Sequence, residues 1–255
     1  MRMTALLLAL LVSASACAAD EASSITVTRP GGASALPAED YESTMVVPEL
    51  RATIEVEGAV RDIDGVGEAL IADAQRTVSE TLDQARRRRS AAPDIFRQWT
   101  LSIDWTATYR GPDVASALGV TTLGEGAAAP VETFETAVVD RITERRLSIG
   151  ELFGNAGDGG PAMTALAEAA FLAWAEVSPH VGDDLDLVDE RVLQDARDGL
   201  TPRAASFATF TLAASARDPD RFAGLTFYYP AGVLADRSEG PYRLTVPVEA
   251  VAAHL

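Results

Sequence analysis

Lysine is absent from this 255-residue chain, so its 21 cationic side chains are all arginines, set against 38 carboxylates for a formal net charge of −17. Binding a phosphate backbone needs clustered positive charge on a field that attracts polyanions, and this balance excludes a nucleic-acid role. Histidine is nearly absent too, with only His180 and His254. Cys17 is the single cysteine, so no disulfide can close within the chain and no zinc site of the usual nitrogen and sulfur ligands can be assembled. No His-Glu-x-x-His and no Gly-x-Ser-x-Gly occurs. His180 follows Pro179 and His254 is penultimate, so both read as exposed bystanders rather than catalytic bases. No cofactor is implied.

Hydrophobic residues make up 47% of the chain, enough to fill a core. The first sixteen residues have the pattern of an export signal. Arg2 supplies the positive region, Thr4 to Val12 an apolar stretch too short to span a bilayer, and Ala14-Ser-Ala16 the small-residue cleavage site. Cys17 follows at once, where a bacterial lipoprotein carries its acylated residue, although Ala14 stands where that signal usually has Leu. Lipid attachment at Cys17 is the expectation, with a free periplasmic protein as the alternative. Removing Arg2 with the signal leaves 20 arginines against 38 acids, a mature charge of −18. As Ala18 rather than Asp follows Cys17, sorting to an outer membrane is expected.

Residues 17–43 are rich in Ala, Ser, Gly, Pro and acids without sustained period, and read as a tether, with order expected from Thr44. Ile54 and Val56 alternate with acids in a strand. Asp64 is placed to cap a helix in which Val66, Leu70, Ala74, Val78 and Leu82 recur every four residues. Arg86-Arg-Arg-Arg89 closes this helix, where four cations complement the macrodipole; the same run could also meet anionic lipid or polysaccharide. Trp99, Leu101, Ile103, Trp105, Ala107 and Tyr109 alternate with polar residues and predict a strand with its aromatic side on the core, a sugar-stacking surface being the alternative. A strand over 131–142 follows. Pro161 opens a helix that runs to Pro179, Val188 to Ala196 reads as a short helix, and Phe207 to Leu212 as a strand. Leu225, Phe227 and Tyr229, then Tyr242, Leu244 and Val246, define two further half-buried strands, with Gly240 free for positive φ in the turn before Pro241.

Two patches resemble a known family. The run Gly224-Leu-Thr-Phe-Tyr-Tyr-Pro230 followed by Glu239-Gly-Pro-Tyr-Arg-Leu-Thr-Val-Pro247 is similar to the C-terminal module of the RsiV-like family. Phe134 to Phe153, with its Leu147-Ser-Ile-Gly-Glu-Leu-Phe153 link, is similar to the connection between that family's two halves. The resemblance covers roughly residues 44–255. Gly124-Glu-Gly-Ala-Ala-Ala129 departs from the family's tyrosine, threonine, glycine-pair, alanine, histidine segment. The family comprises extracytoplasmic α+β domains of lysozyme-sensing anti-sigma factors, domains beside PdaC-type peptidoglycan deacetylases, and stand-alone envelope lipoproteins. An anti-sigma role would need a cytoplasmic segment before a spanning helix, and no deacetylase domain follows, so the lipoprotein is the form this sequence points to.

The expectation is therefore an α+β fold of two closely packed halves, residues 44–146 and 147–255, each of antiparallel strands covered by helices. By resemblance its role is a non-catalytic envelope binding domain for a lysozyme-type protein or a peptidoglycan fragment, held at the membrane through Cys17. The alternatives are a glycan-acting enzyme using paired carboxylates, for which no pair stands out, and a structural assembly partner. Gly124-x-Gly126-x-x-Ala129 is followed by Pro130, which removes the helix a dinucleotide fingerprint needs. Asp183, Asp184, Asp186, Asp189 and Glu190 lack the order of a calcium loop and its central glycine, and read as a solvated acidic loop.

Overall fold

Alternating side chains build most of the strands, and what they pack against follows from which face each set occupies. The computed structural model describes residues 38–254 apart from 64, 155, 182–187 and 219–220. A compact unit spans Pro37–Leu255, and a second unit, Met1–Leu36, lies outside the described residues. The expected export signal, Cys17, most of the 17–43 segment, the expected Asp64 cap and Asp183, Asp184 and Asp186 therefore fall outside them as well.

In chain order the elements are β1 (Tyr41–Val46), β2 (Leu50–Val56), the single turn α1 (Gly58–Arg61), α2 (Gly67–Ala91), β3 (Trp99–Arg110), β4 (Val114–Gly124), β5 (Val131–Asp140) and β6 (Arg145–Arg146). Then come α3 (Ile149–Leu152), α4 (Pro161–Val177), α5 (Glu190–Gly199), β7 (Phe210–Ala214), β8 (Phe222–Tyr229) and β9 (Tyr242–Pro247). Strand β1 thus starts at Tyr41, ahead of the expected onset of order at Thr44. The first six strands form one sheet in sequence order and the last three a second, an α+β fold. Neighbouring strands are antiparallel except β2 and β3, which run parallel. Parallel neighbours need a long crossover, and α2 is that crossover.

Helix α2 lays Leu70, Ile71, Ala74 and Val78 on the sheet face formed by Ala52, Ile54, Leu101, Ile103, Trp105, Ala117 and Ala137. The Trp105 indole lies against Gly119 on the next strand, where an added Cβ would sit 2.5 Å from the ring. The expected alternation in β3 holds through Ala107 and then breaks. Ala107 pairs with Ala117 but Tyr109 with Ser116, so Thr108 is the extra residue of a bulge, which turns Tyr109 to the opposite face. There Tyr109 meets Phe222 edge-on at 6.0 Å and joins the second core, not the one under α2.

That second core is built by Phe210, Leu212, Leu225, Phe227, Tyr229, Leu244 and Val246 of the three-stranded sheet, with Met163, Leu166, Ala170 and Trp174 of α4 over them. Pro161 starts α4 at its first turn, as the sequence predicts. The two sheets meet through the outer edge of β7. Its Phe210 amide donates to Thr136 Oγ1 at 3.1 Å and its Leu212 amide to the fully buried Ser116 Oγ at 3.1 Å, so hydroxyls from the larger sheet satisfy an edge that would otherwise be bare.

The stretch 147–153 forms α3, opened by a capping box. Ser148 Oγ accepts the Glu151 amide while the Glu151 carboxylate accepts the Ser148 amide at 2.9 Å and pairs with Arg145. The Arg145 hydrogen bond first, then those from Ser148, pull the Glu151 carboxyl down to about 2. A depressed carboxyl contributes stability that is complete above its unfolded pKa and disappears as pH falls through the folded one. Glu151→Gln is therefore expected to cost about 1 kcal/mol at neutral pH, and the difference from the wild type should vanish between about pH 4.5 and 2 in urea titrations. A difference that persists at pH 2 would contradict this cap.

Candidate functional site

Two regions combine exposure with convergent polar groups. The first is a cavity of about 890 Å³ between α5 and the β8–β9 link, lined among others by His180, Arg191, Asp195, Asp198, Arg237 and Glu239. His180 follows the end of α4, and its Nε2 lies 2.8 Å from Glu239 Oε1. The other Glu239 oxygen accepts the Tyr242 hydroxyl. Burial first, then the bond to Glu239, pushes Tyr242 up to about 12, so it remains a protonated donor that holds the carboxylate in place. Asp236 caps the 3-10 turn Arg237–Glu239 by accepting the Ser238 amide at 2.9 Å and its hydroxyl at 2.8 Å, and these bonds hold its carboxyl below the usual range. Gly240 ends that turn at φ 82°, the positive value expected of it.

His180 is exposed, yet its ring has a partner. It is partnered across 59 residues of sequence, and no local motif signals the pairing. Glu239 and Tyr242 carried no site signal, one reading as turn and the other as strand. With two guanidinium groups and several carboxylates on one wall, this cavity can hold a ligand that carries both charges. It offers no cysteine or serine nucleophile among its lining residues.

The second region is the face of the six-stranded sheet turned away from α2. Glu42 of β1 stands opposite Glu55 of β2, and Glu55 opposite Asp104 of β3. Side chains directly opposite on neighbouring strands lie about 5 Å apart, and like charges so placed oppose folding. Asp104 accepts from Ser102 Oγ at 3.1 Å, and among the described residues no ion pair reaches any of the three acids. The row continues through Val120 to Phe134. There Tyr228 of the second sheet packs at 5.4 Å, and Arg243 lies over the Phe134 ring while pairing with Glu132 at 3.2 Å. Thr44, Thr53, Ser102 and Thr122 form the adjoining row.

The remaining sequence candidates are dispersed. Asp189 caps α5 by accepting the Arg191 amide at 2.8 Å, with Glu190 in the first turn. Among the described residues no group of three or more His, Cys, Asp or Glu is placed to hold a metal ion. Gly124 ends β4, residues 125–129 form a loop with Gly126 at φ 71°, and no helix opens there. Arg86 to Arg89 lie in the last turns of α2. His254 sits in a closing 3-10 turn. No helix among the described residues is long and apolar enough to cross a membrane.

No family model and no curated protein matches the sequence. Among solved structures, a DUF3298 family member from Bacteroides fragilis is similar with a TM-score of 0.53 at 14% identity, covering 85% of this chain and 91% of that one. A DUF3298 family protein from Pseudomonas aeruginosa is similar with a TM-score of 0.47 at 14% identity, covering 86% and 93%. At this identity the likeness to the first is one of fold.

Proposed function

We propose that this chain is an RsiV-like, non-catalytic binding module of the bacterial cell envelope, anchored by a lipid on Cys17, whose ligand is a lysozyme-type protein. The observation that carries the reading is the row Glu42, Glu55 and Asp104. Three carboxylates set side by side without a cation cost stability, and a strongly cationic partner would remove that cost on binding. Support also comes from the DUF3298 fold, which is that of the RsiV-like domain, and from the resemblance of the β8–β9 and α3 segments. A mature charge of −18, from 20 arginines against 38 acids, favours encounter with such a partner, over a screening length of about 10 Å at 0.1 M salt. The mixed-charge cavity around His180 favours a second ligand, a peptidoglycan fragment, whose stem peptide carries carboxylates and an amine.

The test is capture by the purified chain of a cationic lysozyme and, separately, of soluble muropeptides. Lysozyme should bind one to one, and Glu42→Gln, Glu55→Gln and Asp104→Asn together should slow association about tenfold without unfolding the sheet. Muropeptide binding should instead fall with Arg191→Gln. Radiolabelled fatty acid should enter the chain only when Cys17 is present. Unsaturable lysozyme binding that the triple variant leaves unchanged would remove the ligand assignment, and release of sugar from labelled peptidoglycan would remove the non-catalytic one.

A further inference from the structure

One end of the six-stranded sheet differs in charge from the rest of the molecule. There Leu50 pairs with Trp99, the Gln98 side chain donates to the Val47 carbonyl at 2.5 Å, and Arg89 pairs with Glu49. The β1–β2 turn, the C-terminal end of α2, the segment into β3 and the β4–β5 loop are thereby gathered together. Arg88, Phe96, Arg97 and Trp99 line a cavity of about 190 Å³ between them, with Gly126 of the β4–β5 loop against Arg97. Three large apolar side chains stand in the open at this end: Ile95 is 72% exposed, Val46 60% and Val131 46%. Arg88 and Arg97 line the cavity together with Ile95, and Arg86, Arg87 and Arg89 flank Arg88 at the end of α2. Arg86 pairs with Asp83 and Arg89 with Glu49, whereas Arg87, Arg88 and Arg97 have no carboxylate partner among the described residues. Among the described residues Asp94 and Glu125 are the acids here that no arginine holds, two against three free arginines, so this end is net positive in a chain of −17.

A helix C-terminus explains an arginine run by itself. It does not explain Ile95, which lies beyond the helix, or the exposed valines at the end of β1 and the start of β5. Apolar tips ringed by guanidinium groups fit the interface of an anionic bilayer, where the tips enter the boundary between headgroups and acyl chains and the guanidiniums bind phosphate in bidentate fashion. We infer that this end of the sheet is a docking surface for an anionic phospholipid bilayer. The carboxylate row does not oppose it. Asp104 is five residues along β3 from Trp99, about 16 Å at strand rise, which is twice the screening length of about 8 Å at physiological salt. This surface is separate from the ligand sites proposed above and operates with or without an acyl chain on Cys17.

The experiment is co-sedimentation of the chain from position 17 onward, carrying Cys17→Ser so that no acyl chain contributes, with vesicles of phosphatidylglycerol and phosphatidylethanolamine or of phosphatidylcholine alone. Partitioning into the anionic vesicles is expected, with little into the neutral ones. Each arginine removed should weaken it about fivefold, so Arg87→Gln, Arg88→Gln and Arg97→Gln together should lower it about a hundredfold. Ile95→Ser should lower it about tenfold by removing the inserted side chain. All four positions are exposed, and unchanged thermal midpoints confirm intact folds. Equal sedimentation with both vesicle types, or binding that neither variant alters, overturns the proposal. So does full competition by heparin together with indifference to Ile95→Ser, which marks a patch for soluble polyanions.

Discussion

Replacing Phe227 with alanine is expected to lower stability by about 3 to 5 kcal/mol, measured as a shift of the urea midpoint at constant slope. Phe227 is fully buried in the middle strand of the three-stranded sheet, opposite Phe210 on one side and Leu244 on the other. Its ring meets Phe207 edge-on at 5.1 Å and lies 6.3 Å from Phe210. Neighbours on both flanks are held in pleated strands and α4 closes the layer, so little can collapse into the space left behind, and the loss falls in the cavity-forming range. Against a total of about 5 to 15 kcal/mol for a domain, one such change removes a large share of the margin.

Trp105→Ala is expected to cost a similar amount, about 3 to 5 kcal/mol, for a reason particular to its site. The indole, 3% exposed, rests on the bare backbone of Gly119, so no side chain from β4 can move in to fill the gap. The two residues lie in different cores, yet both variants should show one shared transition. Ser116 and Thr136 of the large sheet bond the β7 edge, and opening either core would leave those buried groups unpaired, at about 1 to 3 kcal/mol each. Losses below 1 kcal/mol at both sites would mean that the assigned faces are reversed. Two separate transitions would mean that the halves fold independently.

How far the fold could be read from the residues depends on how local each determinant is. Alternation placed β2, most of β3, β8 and β9, and fourfold recurrence placed α2, because the side-chain period is a property of the backbone within a few residues. Strand β4 went unread. It sits between β3 and β5 with Ala115, Ser116, Ala117, Leu118 and Gly119 all buried, so covering on both faces erased the alternation, and its small residues make room for Trp105. Tyr109 was placed on the wrong face because a single bulged residue shifts parity without leaving a pattern in the sequence.

The candidate sites were less legible still. The net charge and the shortage of histidine and cysteine are visible in the residues themselves, and they narrowed the range of chemistry without locating a site. That Glu42, Glu55 and Asp104 share one row follows from the parallel pairing of β2 and β3, which exists because α2 crosses between them. The contact of His180 with Glu239 depends on α4 and the β8–β9 link meeting at one corner. Such contacts are set by the register and packing of distant segments, where the free energy of burying both cores outweighs any local preference, so these sites come into being only when the chain folds.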